Sequence, residues 1–264
     1  MRLFGFVLAA LLLAGQARAQ QTPAAPPASP PPAEDKVLDG HLRKWEEKMK
    51  DVTALAAQLV RIDKNHTIED TTKLVGVAYY MKDGRGPTAL NLAILELAPE
   101  GKKEFQERYV CTGDFIYDFK PAQKEIRYYE VPKPKPGQVA DDNLLSLLFG
   151  MKAEEAQRRY SLKLAKEDQY YIYVDIAPRS AADRSDFQRA RLVLNKTTFM
   201  PRQLWFEHAN GNEVTWDVPR LQSGVTLDRR VFDAPRPPAN WKLVPVAKTG
   251  ATTPPPRVIR QNNK

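Results

Sequence analysis

The chain has 264 residues, a formal net charge of +8 at neutral pH, a sequence pI near 9.4 and one cysteine. A single cysteine excludes an intrachain disulfide, so a folded domain must be held by packing. The excess charge sits at the ends, with Arg2 and Arg18 in the leader and Lys248, Arg257, Arg260 and Lys264 in an acid-free tail; the middle is left at about +2, which argues against a nucleic-acid-binding domain.

Residues 1–19 have the form of a cleaved secretory signal. Arg2 precedes an apolar run from Leu3 to Ala14, and Ala17-Arg18-Ala19 supplies the small-x-small cleavage site. The run is about a dozen residues, whereas a bilayer span needs roughly 20, so an integral membrane protein is not expected. No cysteine stands at the cleavage point, so a lipid anchor by that route is not expected either, and a periplasmic or secreted location is. Residues 20–35 are a Pro/Ala-rich linker, 36–246 are expected to form one domain, and 247–264 read as a basic disordered tail.

From Lys36, Leu38, Leu42, Trp45, Met49 and Val52 recur every three or four residues, the pattern of an amphipathic helix. Near residue 54 the period changes to two. Strands rich in β-branched and aromatic residues are predicted near 71–82, 87–98, 104–112, 114–119 and 124–131, then 160–166, 169–177, 187–195, 200–208, 212–219 and 241–246. Tight turns at 111–114, 120–124 and 208–213 imply antiparallel neighbours. The expectation is one strongly curved sheet of about ten antiparallel strands in an α+β fold.

Between the two strand groups, Asp141-Asp142-Asn143 has the composition of a helix cap, and LLSLLFGM follows to Met151. Leu144, Leu145, Leu147, Leu148, Phe149 and Met151 make this segment apolar on nearly every side, which suggests a lid between the sheet and a second apolar object. Residues 152–160 read as a charged helical turn or two.

GDFIYDFKPAQKEIRYYEVP, RLVLNKTTFMPRQLWFEHANGNEVTWDV and VFDAPRPPANWKLV, with an N-terminal helix and apolar helices inserted midway, resemble the periplasmic outer-membrane lipoprotein carrier (LolA-like) superfamily. DDNLLSLLFGMKAEEAQRRY is also similar to an exported bacterial family of unassigned function within that architecture. The resemblance implies an incomplete antiparallel β-barrel with a helical lid over an acyl-chain cavity. Leu92, Ile94, Phe115, Tyr117 and Tyr173 from the sheet and Leu144, Leu148, Phe149 and Met151 from the lid would line such a cavity; the alternative is that they fill a core. The family's Arg-Pro pair is implicated in lid movement, and its nearest counterpart is the differently spaced MKDGRGP, which makes Arg85 the candidate gating residue.

Other constellations favour structural roles. His41, His66 and His208 lack partners at ligand spacing, so no metal is expected. Cys111 reads as a small core residue, Asp141 and Asp142 as capping groups, and Tyr128-Tyr129, Tyr170-Tyr171, Trp205 and Trp216 as sheet packing. Asn65-His66-Thr67 and Asn195-Lys196-Thr197 match the N-glycosylation pattern by chance. Neither a phosphate-cradling loop nor a nucleophile elbow occurs, so neither an enzyme nor a cofactor is expected. Two functions remain: a carrier or binding protein for lipid or lipoprotein acyl chains, or a cell-envelope sensor or scaffold that binds a protein partner.

Overall fold

The structure, a computed structural model, describes residues 33–84, 89–131, 153–181 and 183–246. The expected signal, most of the linker, the tail and the apolar segment 141–151 lie outside them. Helix α1 (Ala33–Lys50) carries the periodic apolar stripe: Leu38, Leu42, Trp45 and Met49 are buried, Trp45 completely. Lys48 and Lys50 in its last turn complement the negative end of the helix dipole.

Six strands follow as a meander: β1 (Ala54–Asn65), β2 (Asp70–Asp83), β3 (Leu90–Pro99), β4 (Glu107–Cys111), β5 (Phe115–Lys120) and β6 (Glu125–Glu130). A short helix α2 (Ala153–Arg159) leads into β7 (Tyr160–Glu167), β8 (Tyr171–Pro178), β9 (Arg189–Asn195), β10 (Pro201–Glu207) and β11 (Glu213–Ser223), and the last strand is β12 (Lys242–Pro245). All twelve belong to one open, strongly curved sheet in the order β12-β6-β5-β4-β3-β2-β1-β11-β10-β9-β8-β7. The expected strongly curved sheet of about ten antiparallel strands is thus present, with twelve strands and one parallel pair. β12 pairs parallel with β6, because the chain reaches that edge after a long connection from β11 and not through a hairpin.

The two meanders meet where β1 pairs with β11. There Leu59 faces the two residues Val218 and Pro219, a bulge that accommodates a proline inside a central strand. Gly76 on β2 has a comparable reason: a Cβ at that position would lie 1.8 Å from the Glu96 carbonyl oxygen of β3. The two Asn-x-Thr sequences are turn devices. Asn65 Oδ1 accepts from the Thr67 and Ile68 amides, and Asn195 Oδ1 from the Thr197 and Thr198 amides, at 2.9 to 3.4 Å.

The register separates two cores onto opposite faces of the sheet. Leu55, Ala57, Leu74, Leu97, Leu192, Leu204, Val214 and Trp216 share one face, and their buried cluster includes the stripe of α1 and Ala153 and Ala156 of α2. The two helices are tied by the Ala153 amide donating to Glu46 (3.1 Å) and Gln157 Nε2 to Asp39 (3.3 Å). The other face of β3–β6 carries Leu92, Ile94, Val110, Tyr117, Phe119 and Ile126, which cluster with Phe232. Phe232 belongs to the segment from Leu227 to Trp241, which crosses this face as a strap before becoming β12.

Candidate functional site

On the helix-bearing face, the pairings Tyr80↔Ala93, Ala93↔Cys111, Cys111↔Ile116 and Ile116↔Tyr129 place five side chains in a row across β2 to β6. All five are half-buried, whereas Leu92, Ile94, Val110 and Tyr117, which flank the three central ones on the opposite face, are buried. Tyr80 packs against the helix-bearing core, as does Leu95 in the next row. Burial pushes the Tyr80 and Cys111 groups above their ordinary pKa values and Tyr129 up to about 12, so all three are neutral at physiological pH. Cys111 Sγ points to the Asn91 carbonyl at 3.4 Å. A neutral thiol in that setting is a small apolar surface and a poor nucleophile.

Toward the other end of the same strands the face becomes ionic. Glu107, Tyr109, Asp118, Lys120, Glu125 and Arg127 all point to this side. Arg61 of β1 donates to both Glu107 oxygens at 2.8 and 2.7 Å, contacts Asp63 and stacks over the Trp216 ring at 5.3 Å. Burial opposes its charge, yet the two carboxylates hold the guanidinium pKa above its usual value. Asp118 Oδ2 accepts from Lys120 at 2.7 Å, whereas Asp118 Oδ1 is buried with no hydrogen-bond partner. Burial raises the Asp118 pKa, Lys120 opposes that rise, and Asp63, also with an unpartnered Oδ1, is raised by burial in the same way. The Tyr109 phenol lies among these groups and is pushed up by burial, Asp118 and Glu107.

The predicted cavity residues divide between two places. Leu92, Ile94 and Tyr117 come together, but on the strap-covered face, where they are buried. Phe115 stands at the rim of that cluster, with ring centroids 6.4 Å from Tyr117 and 5.9 Å from Tyr128. Tyr173 is far along the sheet on β8. It faces away from buried Ile172 and Val174, donates to Asp168 at 3.2 Å and lies under Lys166. Leu144, Leu148, Phe149, Met151 and Arg85 lie outside the described residues. The half-buried row was missed because Ala93, Ile116 and Tyr129 alternate with stronger hydrophobic residues. The available signal was the charge in phase with them, at Glu107, Asp118 and Arg127, since a strand face that mixes apolar and ionic groups is seldom a filled core.

His41 and His66 pair with Glu167 (3.0 Å) and Glu213 (3.1 Å), and His208 Nδ1 lies 2.8 Å from the Asp186 carbonyl. Among the described residues no group of three or more His, Cys, Asp or Glu side chains could hold a metal ion, and no helix is long and apolar enough to cross a membrane.

No protein-family model matches the chain, and no curated protein matches it. Among solved structures it is similar to an uncharacterized conserved protein from Thermus thermophilus, at 14% identity and a TM-score of 0.50 over 80% of this chain and 99% of that one. It is also similar to the Pseudomonas aeruginosa MucA/MucB complex structure, at 13% identity and a TM-score of 0.44, covering 75% of this chain and 60% of that one. A LolA superfamily protein from Nitrosomonas europaea matches at 11% identity and a TM-score of 0.36, covering 74% of this chain and 96% of that one. At these identities the likeness concerns the fold alone.

Proposed function

We propose that the chain is a cell-envelope carrier or binding protein for the acyl chain of a lipid or lipoprotein, acting in the periplasm after removal of its N-terminal signal. The supporting observation is the half-buried row Tyr80, Ala93, Cys111, Ile116 and Tyr129 on the helix-bearing face. Five adjacent strands at about 4.8 Å make a strip of roughly 19 Å, the length scale of a long fatty chain. The strip is continuous with the buried core through Tyr80 and Leu95. Each methylene that it covers contributes about 0.8 kcal/mol, so a chain is held without directional contacts.

The test is titration of the purified protein with a fluorescent fatty-acid probe, alongside native mass spectrometry for co-purifying lipid. Ile116→Glu should abolish probe binding with little loss of stability, because Ile116 is half-buried. Leu92→Ala, on the opposite and filled face, should cost about 3 kcal/mol of stability and leave probe affinity unchanged. A protein that takes up no probe and carries no lipid, yet captures a protein partner through this face, would transfer the assignment to a sensor or scaffold.

A further inference from the structure

We propose that the amphiphile bound along the Tyr80–Tyr129 row carries an ammonium head group, which Asp118 receives. The inference rests on the acyl-chain reading and deepens it. Asp118 is two residues from Ile116 on the same strand face, roughly 7 Å along β5, one strand in from the end of the row at Tyr129, so a head group that turns off the row beside Ile116 comes within reach of its carboxylate. Its Oδ2 is taken by Lys120, while its Oδ1 is buried and unpartnered, and a buried carboxylate oxygen left in that state is unfavourable until a donor reaches it.

Charge points to a cation in preference to a hydroxyl. The groups Arg61–Glu107–Asp63, Lys120–Asp118 and Arg127–Glu125 on this face hold three cations against four carboxylates, one negative charge in excess. Asp63 also has a free oxygen, but it stands beyond Arg61 on β1 and a third of its side chain is exposed. Of the two acidic residues beside the apolar row, Asp114 is exposed, whereas the Asp118 side chain is only 15% exposed. Tyr109 faces Asp118 from β4 and Arg127 faces it from β6, so the carboxylate is approached along β5 from Ile116.

The experiment is displacement of a neutral fluorescent acyl probe from the full chain by four dodecyl amphiphiles below their micellar concentrations: dodecylammonium, dodecyltrimethylammonium, dodecanol and laurate. Dodecylammonium should displace at about tenfold lower concentration than dodecanol, the scale of one charge-assisted hydrogen bond, with laurate weakest. Asp118→Asn should bring dodecylammonium to parity with dodecanol and leave dodecanol unchanged. Asp175→Asn, on the opposite sheet face, is the matched control, and circular dichroism establishes that both variants fold. Equal displacement by all four chains overturns the ammonium proposal and leaves acyl binding standing. A preference that survives Asp118→Asn also overturns it, as does parity of the quaternary head, which has no N–H for Oδ1. If none of the four displaces or binds, the acyl-chain reading itself falls.

Discussion

Arg61 on β1 and Glu107 on β4 are joined by two parallel hydrogen bonds, although β2 and β3 lie between their strands. In a flat sheet those backbones would stand roughly 14 Å apart, so the pair closes because the sheet bends toward its helix-bearing side. The Arg61 side chain is only 8% exposed, and its guanidinium is packed on Trp216. It acts as a strut across the concavity, at the boundary between the filled core and the half-buried row. Glu107→Ala would leave a buried cation with Asp63 alone. The expected loss is about 3 kcal/mol in urea unfolding, and Arg61→Met with Glu107→Leu should recover most of it, since an apolar pair needs no compensation in this setting.

Gly76 sets the closeness of β2 and β3. Because a Cβ there would meet the Glu96 carbonyl at 1.8 Å, the two backbones must separate on substitution. Gly76→Ala is expected to lower stability by several kcal/mol or to abolish folding, read as a drop in thermal midpoint or loss of soluble protein. An unchanged midpoint would mean that the strands are not held this close.

Phe232 is the main anchor of the strap, 1% exposed in a segment whose other residues are exposed or half-buried. Asp228 caps its turn by accepting from the Arg230 amide (3.0 Å), and Arg229 reaches Asp83 on β2 (3.1 Å). Phe232→Ala should cost about 3 kcal/mol and expose the Leu92–Ile126 cluster. Limited proteolysis should then cut between Leu227 and Trp241, with hydrogen exchange accelerating in β5 and β6 and remaining slow in β8 to β10.

Asp183 gives the clearest pH dependence. Burial alone would raise its pKa, but hydrogen bonds from Arg159 (2.6 Å) and the Ser180 hydroxyl (2.7 Å) hold it below the ordinary carboxylate value. A depressed folded-state pKa means that the unfolded chain binds the proton first. The stabilisation is therefore complete above the unfolded value near 3.8 and disappears as pH falls through the lower folded value. Asp183→Asn should be less stable than wild type by about 1.5 kcal/mol at pH 7 and should converge with it in acid, as measured by urea midpoints across pH. A gap that stays constant with pH would assign the loss to packing.

Strand positions were legible to within a few residues. β2, expected at 71–82, runs from Asp70 to Asp83, and β10, expected at 200–208, runs from Pro201 to Glu207. Alternation and turn residues are local, and local signals survive in a single sequence. What was not legible is which side of each strand faces the helices. In Leu92-Ala93-Ile94-Leu95 both phases are apolar, and Leu92 and Ile94 lie under the strap while Ala93 and Leu95 are on the helix-bearing face. The strap hid for a related reason: its fully buried anchor, Phe232, sits in a Pro-rich stretch that reads as a connection. The Arg61–Glu107 strut spans 46 residues of chain and depends on curvature, which no local pattern encodes.

The pairing of β1 with β11 joins residues 54–65 to residues 213–223, so the centre of the sheet is sealed by contacts between the two ends of the domain. Each meander is made of neighbours in sequence and can zip by itself, but each then presents one long unpaired edge until the other arrives. Closure must wait for nearly the whole chain, which places this fold among the slow, non-local ones. A chain fed progressively from one end, whether from a ribosome or through a membrane pore, stays open along that seam almost to its last residues. During that interval the two bare edges are its exposure to aggregation, and chaperone protection would matter most there.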